Sequence, residues 1–170
     1  MNILKYFDKE KFTFLIKDNL ISILLIPAIF LLDRISKIKT IDHQLNNTQV
    51  YVNDFINLDL AWNTGIGFGI FSSTSSLAYN SITVIIGIVL IFIIYLIKKS
   101  KFIDKIFFTM ILGGALGNFY DRIVYSAVPD FIDIHYQNFH WFTFNIADIS
   151  ISIGVIMLIS KDLFYKNDKK

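Results

Sequence analysis

The stretch at residues 81–97, SITVIIGIVLIFIIYLI, carries no charged side chain and restricts the possible folds more than any other part of the chain. Crossing the hydrocarbon layer of a membrane takes about 20 mostly apolar residues. Within that layer, only a helix or a closed barrel satisfies the backbone polar groups. The stretch therefore predicts a membrane-spanning helix. The composition agrees, because charged residues make up 18% of the chain, against about 25% in soluble domains.

Three further apolar runs, at about residues 20–32, 106–120 and 147–160, predict three more spans. At full helical length the four spans lie at about 18–37, 80–97, 105–123 and 147–164. The predicted fold is a mainly α membrane protein with four transmembrane helices, forming one integral domain over residues 1–170. A basic start before an apolar run also suits a cleaved signal peptide. No small-x-small cleavage site follows Leu32, so a retained first span is expected.

Basic residues are concentrated on one side of this arrangement. Twelve of the 16 lie before the first apolar run, in the 98–105 loop, or after the fourth apolar run. Loops rich in lysine and arginine stay in the cytoplasm. Both termini and the 98–105 loop are therefore expected in the cytoplasm, and segments of about 38–79 and 124–146 outside it.

The outer segment at residues 48–70 lacks a helical pattern. Leu58, Leu60 and Trp62 alternate with polar or small residues, which is the period of a strand. Gly65 and Gly67 follow at the same period, which indicates bends or a close backbone approach. These features predict a small extracytoplasmic β-sheet element between spans one and two.

Asp130 and Asp148 lie where apolar runs end or begin. Ionisable side chains at membrane depth are costly, and each one is by default a candidate for function. Two carboxyls that share one proton are the machinery of an aspartic protease. Simpler roles are a turn residue after Pro129 for Asp130, and a first-turn helix acid for Asp148. Asp133 also stays open as the partner of Asp130.

Other polar residues occur at helical spacings. Asp33 and Lys37 are four residues apart and predict an intrahelical ion pair at the interface, with the lysine extending outward. Lys37 alternatively binds a lipid headgroup or braces a site. Asn118, Asp121 and Arg122 share one helical face, with Asp121 neutralised by Arg122 or another base.

Small residues and amides suggest further local structure. Gly113 and Gly117 are four apart, a pattern that lets membrane helices approach closely. Asn145 precedes the fourth span, either as its N-cap or sharing a face with Asp148. Asn63 before Gly65 suits an Asx turn, or a side-chain amide that orients a substrate backbone. The chain has no cysteine, and its three histidines have no zinc-binding spacing, so neither a metal nor an organic cofactor is expected.

Taken together, five motifs resemble the lipoprotein signal peptidase (signal peptidase II) family. That family carries D-x-x-x-K, N-x-G-x-x-F, G-x-x-x-G-N-x-x-D-R, V-x-D-F and F-N-x-A-D in this order. The corresponding segments here are 33–37, 63–68, 113–122, 128–131 and 144–148. Three departures are Arg34 where glutamine is frequent, Trp62 where phenylalanine is common, and Ile66-Gly67 in place of a small pair.

The resemblance implies a bacterial aspartic endopeptidase that cleaves prolipoproteins just before a diacylglyceryl-modified cysteine. It implies Asp130 and Asp148 as the catalytic pair. The substrate-binding and supporting residues it implies are Asn63, Gly65, Asn118, Arg122, Asn145, Asp33, Lys37 and Asp121. The implied location is the bacterial cytoplasmic (inner) membrane, multi-pass, with the active site at the outer face. The expected partners are the prolipoprotein and membrane lipids, without nucleic acid, and the expected state is a monomer.

Two other classes fit parts of the pattern. A small membrane transporter or scaffold would use the acids as an ion or proton site, but transporters often have duplicated halves, and this sequence has no duplication. A presenilin-type protease would carry a GxGD element within a span. The G-x-G sequences here are not followed by aspartate.

Overall fold

The computed structural model describes residues 9–44, 49–65 and 76–167, and every structural statement below refers to these residues. They form four helices and four strands. The helices are α1 (Lys9–Gln44), α2 (Ser76–Lys99), α3 (Phe102–Tyr125) and α4 (Ile146–Asn167). The strands are β1 (Val50–Asn53), β2 (Ile56–Asn63), β3 (Val128–Tyr136) and β4 (Phe139–Phe144). The predicted mainly helical fold with a small sheet is therefore confirmed.

Helix α3 is the centre of the helical part and packs against the other three helices. Glycines permit this approach. A Cβ on Gly113 would lie 3.0 Å from the Cβ of Ile29 in α1, and one on Gly117 would lie 2.5 Å from Oδ2 of Asp33. A Cβ on Gly114 would meet the backbone of Ala147 in α4. The close packing predicted from the glycine spacing is thus confirmed, with α1 as the partner helix.

Much of the helical surface is apolar. Among the described residues, two segments are long and apolar enough to cross a membrane, Tyr79–Lys99 and Phe102–Tyr125. On α2 the side chains of Ile88 and Ile91 are 62% and 70% exposed. In water such a surface is costly, whereas lipid covers it without penalty.

Helix α1 differs from its prediction because it continues to Gln44, well beyond the expected end at residue 37. Its last two turns lie in the segment that is expected outside the membrane. Gln44 then contacts the sheet, because its Oε1 accepts a hydrogen bond of 2.6 Å from the N–H of Leu60. The C-terminal end of α1 is therefore in direct contact with β2.

The sheet is antiparallel with the order β1-β2-β3-β4. The strand predicted from alternation at residues 58–62 is confirmed as part of β2. The position of the sheet was predicted only in part, since β3 and β4 come from the segment between α3 and α4. Asp130 accordingly lies inside β3, so the alternative interpretation of Asp130 as a turn residue after Pro129 is wrong.

Alternation along β3 determines which side chains reach the helices. Asp130 pairs with Ala61 of β2, and Ile132 pairs with Leu58, with an irregularity between those two pairs on the β2 side. Because successive side chains of a strand point to opposite faces, Asp130 shares its face with Ile132 and Ile134. Asp133 belongs to the opposite face.

Candidate active site

Asp130 is almost completely buried and accepts two hydrogen bonds from side-chain amides. Asn63, the last residue of β2, donates from Nδ2 to Oδ2 at 2.9 Å. Asn145, just before α4, donates from Nδ2 to Oδ1 at 2.5 Å. The acid is therefore held between the sheet and the start of α4 by neutral donors.

Asp148 lies in the first turn of α4 and takes part in the cap of that helix. Its N–H donates to Oδ1 of Asn145 at 3.0 Å, and its Oδ2 accepts from the N–H of Asn145 at 3.2 Å. This reciprocal pattern is a capping box, which confirms Asn145 as the N-cap. The other oxygen, Oδ1, accepts from Nδ2 of Asn118 on α3 at 2.8 Å.

Each of the three amides is oriented by a second contact. The Oδ1 of Asn63 accepts from the N–H of Gly65 at 2.8 Å, which confirms the predicted Asx turn. The Oδ1 of Asn118 accepts from Nζ of Lys37 at 2.8 Å. The Oδ1 of Asn145 accepts the helix N–H of the capping box. Because the oxygen of each amide accepts from one of these donors, the amide is not free to flip. Its NH₂ group therefore stays directed at a carboxyl.

Both acids line one cavity of about 340 Å³ between α2, α3 and α4. Its polar lining consists of Asn63, Asn118, Arg122, Asp130, Asp148 and Ser152. Apolar side chains, among them Ile86, Leu90 and Ile151, form the rest of the wall. A polar end and an apolar body are typical of a ligand cavity.

The carboxyl of Asp130 has an elevated pKa. Burial, and after it the negative charge of Asp148, raise the pKa of Asp130 from 3.8 to about 6. The hydrogen bonds from Asn63 and Asn145 oppose the shift, because they favour the ionised form. Asp130 therefore changes its protonation state within the pH range in which enzymes work.

A second polar cluster lies directly behind this cavity. Nζ of Lys37 is 2.7 Å from Oδ2 of Asp33 and 2.7 Å from Oδ2 of Asp121. Arg34 pairs with the other oxygen of Asp121. The Oδ1 of Asp33 accepts from the N–H of Ala147 at 2.9 Å, which ties α1 to the first turn of α4.

This cluster confirms the intrahelical pair of Asp33 and Lys37 but corrects its setting. Lys37 is fully buried, so the expectation that it extends outward at the interface was wrong. Its three ammonium donors all have protein acceptors, Asp33, Asp121 and Asn118. An interhelical network takes the place of a surface ion pair because the tight α1–α3 contact brings Asp121 to the lysine.

Arg122 is separate from this cluster. Asp121 pairs with Lys37 and Arg34. Of the two alternatives for the partner of Asp121, Arg122 or another base, the second is therefore confirmed. Arg122 donates from Nη2 to the carbonyl of Gly65, and its guanidinium lies 5.7 Å from the ring centroid of Tyr79. Its Nε and Nη1 are buried without a hydrogen-bond partner among the described residues, while the side chain lines the cavity.

The structure places Asp133 away from the cavity. Its Oδ2 is 2.7 Å from Nδ1 of His140, on the sheet face opposite Asp130. Of the acids left open by the sequence, Asp148 and not Asp133 shares a cavity with Asp130. Gly67 and Phe68, from the motif after Asn63, lie outside the described residues.

Sequence reasoning missed Ser152 and Tyr79. Ser152 lines the cavity one helical turn after Asp148, and that spacing of four was a usable signal. Tyr79 precedes the charge-free stretch, and nothing in the sequence linked it to Arg122. Within the described ranges, no group of three or more His, Asp or Glu side chains is arranged to hold a metal ion.

Comparison with known proteins identifies the family. The family described as "Signal peptidase (SPase) II" matches residues 25–164. The chain belongs to the signal peptidase II family. A lipoprotein signal peptidase of Pelagibacter ubique is 48% identical over 156 residues, covering 91% of this chain and 94% of that protein. The lipoprotein signal peptidase of Anaplasma marginale is 32% identical over 149 residues, 88% of each chain.

A solved structure supports the family assignment. A bacterial membrane enzyme determined by the in meso method at 2.3 Å resolution superposes with a TM-score of 0.71 and 32% identity. The match covers 88% of this chain and 91% of that enzyme. This signal peptidase II family member is thus similar to a membrane enzyme over nearly its whole length.

Proposed function

We propose that this signal peptidase II family member removes signal peptides from prolipoproteins whose cysteine carries a diacylglyceryl group, cutting just before that cysteine. Asp130 and Asp148 form the catalytic pair. One observation carries the proposal: both carboxyls open onto one cavity, and the side chains that hydrogen-bond to them are neutral amides. Membership of the family and relatives named lipoprotein signal peptidase support the substrate class.

The pair activates water by sharing one proton. Two nearby carboxyls in a buried site do not both ionise cheaply. The ionised member takes a proton from the attacking water, and the protonated member donates to the carbonyl oxygen of the scissile bond. The proton taken from water then passes to the leaving amine. The roles belong to the pair as a unit, because coupled groups titrate together.

The surrounding residues position the substrate and the pair. Arg122 lines the cavity and carries two buried N–H groups without a partner among the described residues, and we assign to it a carbonyl of the substrate as hydrogen-bond acceptor. Asn63, Asn118 and Asn145 hold the carboxyls, and Gly65 orients Asn63. Asp33, Lys37 and Asp121 support the site from behind. No cofactor takes part in the proposed reaction.

The proposed topology has four spans, α1 to α4, with both termini in the cytoplasm. The acids lie at the end of the molecule opposite the α2–α3 connection, which carries Lys98, Lys99 and Lys101. A basic connection on the cytoplasmic side puts the site at the outer face of the cytoplasmic membrane. There the lipid of the substrate stays in the bilayer and fixes the scissile bond at the acids. The protein acts as a monomer.

The test is cleavage of a synthetic prolipoprotein peptide by purified protein in detergent, with and without the diacylglyceryl group. Asp130→Asn and Asp148→Asn are run beside the wild type. Lipid-dependent cleavage that both substitutions abolish is expected. No cleavage by folded wild-type protein would contradict the proposal and favour an ion or proton transporter or a scaffold.

A further inference from the structure

A second apolar groove, of about 230 Å³, lies between the sheet and α4. The sheet contributes Ile134, Phe142 and Phe144. The helix contributes Asp148, Ile149, Ser152 and Ile153. Ile134 pairs with Phe142 across β3 and β4, and alternation puts Ile134 on the sheet face that carries Asp130. The groove is therefore a continuation of the catalytic face of the sheet.

The groove and the main cavity meet at the catalytic acid. Asp148 and Ser152 line both spaces, and the other lining residues differ. The first turns of α4 thus separate two apolar spaces that converge on one carboxyl. A substrate with two apolar arms joined next to its scissile bond would place one arm in each space.

The two spaces differ in the groups they offer. The main cavity presents the guanidinium of Arg122 and the carboxyls of Asp130 and Asp148, which suit the C=O and N–H groups of an extended peptide. The lining of the groove is apolar beyond its shared end. A peptide backbone placed there would leave polar groups unsatisfied, which is costly, whereas a hydrocarbon chain has none to satisfy.

The groove also opens towards the lipid-facing side of α4. Ile153 in its wall is 44% exposed, and Ile156, one turn further along, is 59% exposed. A hydrocarbon chain in the groove would leave the protein along an apolar surface and continue into the bilayer. The end of the groove near Asp148 would hold the polar linkage that joins this hydrocarbon chain to the rest of the substrate.

We propose that the groove between β3–β4 and α4 binds an acyl chain of the substrate's diacylglyceryl group, while the signal peptide occupies the main cavity. This inference rests on the proposed function and assigns each arm of the substrate to its own space. Ser152, at the junction, contacts the linkage between the lipid and the peptide.

The direct test is photo-crosslinking, which needs no turnover. A diacylglyceryl peptide with a diazirine in one acyl chain is bound to the full-length Asp148→Asn protein in detergent, irradiated and mapped by mass spectrometry. Adducts in the strand residues 142–144 and at Ile149 or Ile153 are expected. Adducts confined to 86–93 of α2 would overturn the assignment, because they would put the acyl chain in the main cavity.

A kinetic test uses Ile153→Trp, which fills the groove, with Val155→Trp as the matched control, because Val155 is exposed on the same helix and lines neither space. For a long-chain substrate, Ile153→Trp should raise KM about tenfold, as expected for losing a few buried methylene groups. A dibutyryl substrate should show little change, and the control should resemble the wild type. Equal losses with both substrates would overturn the groove assignment. Absence of wild-type cleavage would instead overturn the proposed function, and the crosslinks would still test the groove.

Discussion

Two pairs of aspartates lie within one connected polar network, and their surroundings differ. Asp33 and Asp121 each lie 2.7 Å from the ammonium of Lys37, and Asp121 also meets Arg34. Asp130 and Asp148 accept hydrogen bonds from neutral amides and from a backbone N–H, and they face a cavity. The first pair is closed and balanced by charge, while the second is open.

The difference shows how one residue type serves two purposes in a membrane protein. A carboxylate that is paired with a buried cation has its charge balanced within the protein and ties helices together. A carboxyl with only neutral donors keeps access to a proton. Asn118 connects the two pairs, because its oxygen meets Lys37 and its NH₂ group meets Asp148. Lys37, which pairs with Asp33 and Asp121, thereby orients the amide that donates to Asp148.

The largest effect should come from neutralising the open pair. Asp130→Asn or Asp148→Asn should lower kcat for a lipidated peptide by at least about 10³-fold, since general acid–base groups contribute about 10² to 10⁴ and the pair acts as a unit. The thermal midpoint of unfolding should change little. Retention of a tenth of wild-type activity (about 1.4 kcal/mol of transition-state stabilisation lost) in either variant would exclude the pair as catalytic groups.

Breaking the closed pair should act on stability. Lys37→Met leaves Asp33 and Asp121 buried without their shared ammonium, and breaking a buried ion pair costs about 3–5 kcal/mol. Unfolding in detergent, monitored by circular dichroism, gives the free energy. Lys39→Met is the control, because Lys39 is exposed two residues away. Equal stability of the two variants would show that the network does not hold the helices together.

The pH dependence should report the open pair. Because the pKa of Asp130 is about 6, activity that requires its carboxylate rises as the pH increases through about 6. The raised pKa also means that the folded state holds this proton more tightly than the unfolded chain. Stability from this group is therefore present below 3.8 and is lost as the pH rises to about 6.

Removing one donor sharpens this measurement. Asn63→Ala deletes a hydrogen bond that lowers the pKa of Asp130, so the acidic limb of kcat/KM should move to higher pH. Activity below about pH 6 should fall more than activity near pH 8. An unmoved limb with a uniform loss would mean that Asn63 serves the substrate and not the carboxyl.

The sequence predicted contacts within one turn or helix end better than contacts between helices. The capping box of Asn145 and Asp148 and the Asx turn of Asn63 follow from local spacing, and both are present. The contact of Lys37 with Asp121 joins residues that are 84 positions apart. Spacing along one helix cannot show such a contact, which depends on the α1–α3 approach at Gly117.

Strands β3 and β4 were missed for a related reason. The first four residues of β3 are buried on both faces, so apolar and polar residues do not alternate, and Pro129 argues against a strand. Asp130 and Asp133 could not be distinguished for the same reason. Their separation onto opposite faces follows only once β3 is known to be extended.

The smallest expected effect concerns a chain of contacts from Arg34, which pairs with Asp121, to Trp62, which is next to Asn63. Arg34 donates to the hydroxyl of Tyr125 at 3.2 Å, and the ring of Tyr125 lies edge-on to Trp62 with centroids 5.6 Å apart. Arg34 and Trp62 are also two of the positions where this chain departs from the family motifs. Trp62 immediately precedes Asn63, which donates to Asp130. The contacts of Arg34, Tyr125 and Trp62 therefore connect Asp121 with Asp130.

A double-mutant cycle with Arg34→Gln and Trp62→Phe should therefore give a coupling of about 0.5–1 kcal/mol in the free energy of unfolding. Tyr125→Phe, which removes only the hydroxyl, should abolish most of that coupling, because the hydroxyl is the atom through which Arg34 meets the ring. Additive single effects would show that the two departures are independent substitutions. A coupling that survives Tyr125→Phe would instead assign the connection to the stacking of Arg34 on the ring, whose centroid is 5.6 Å away.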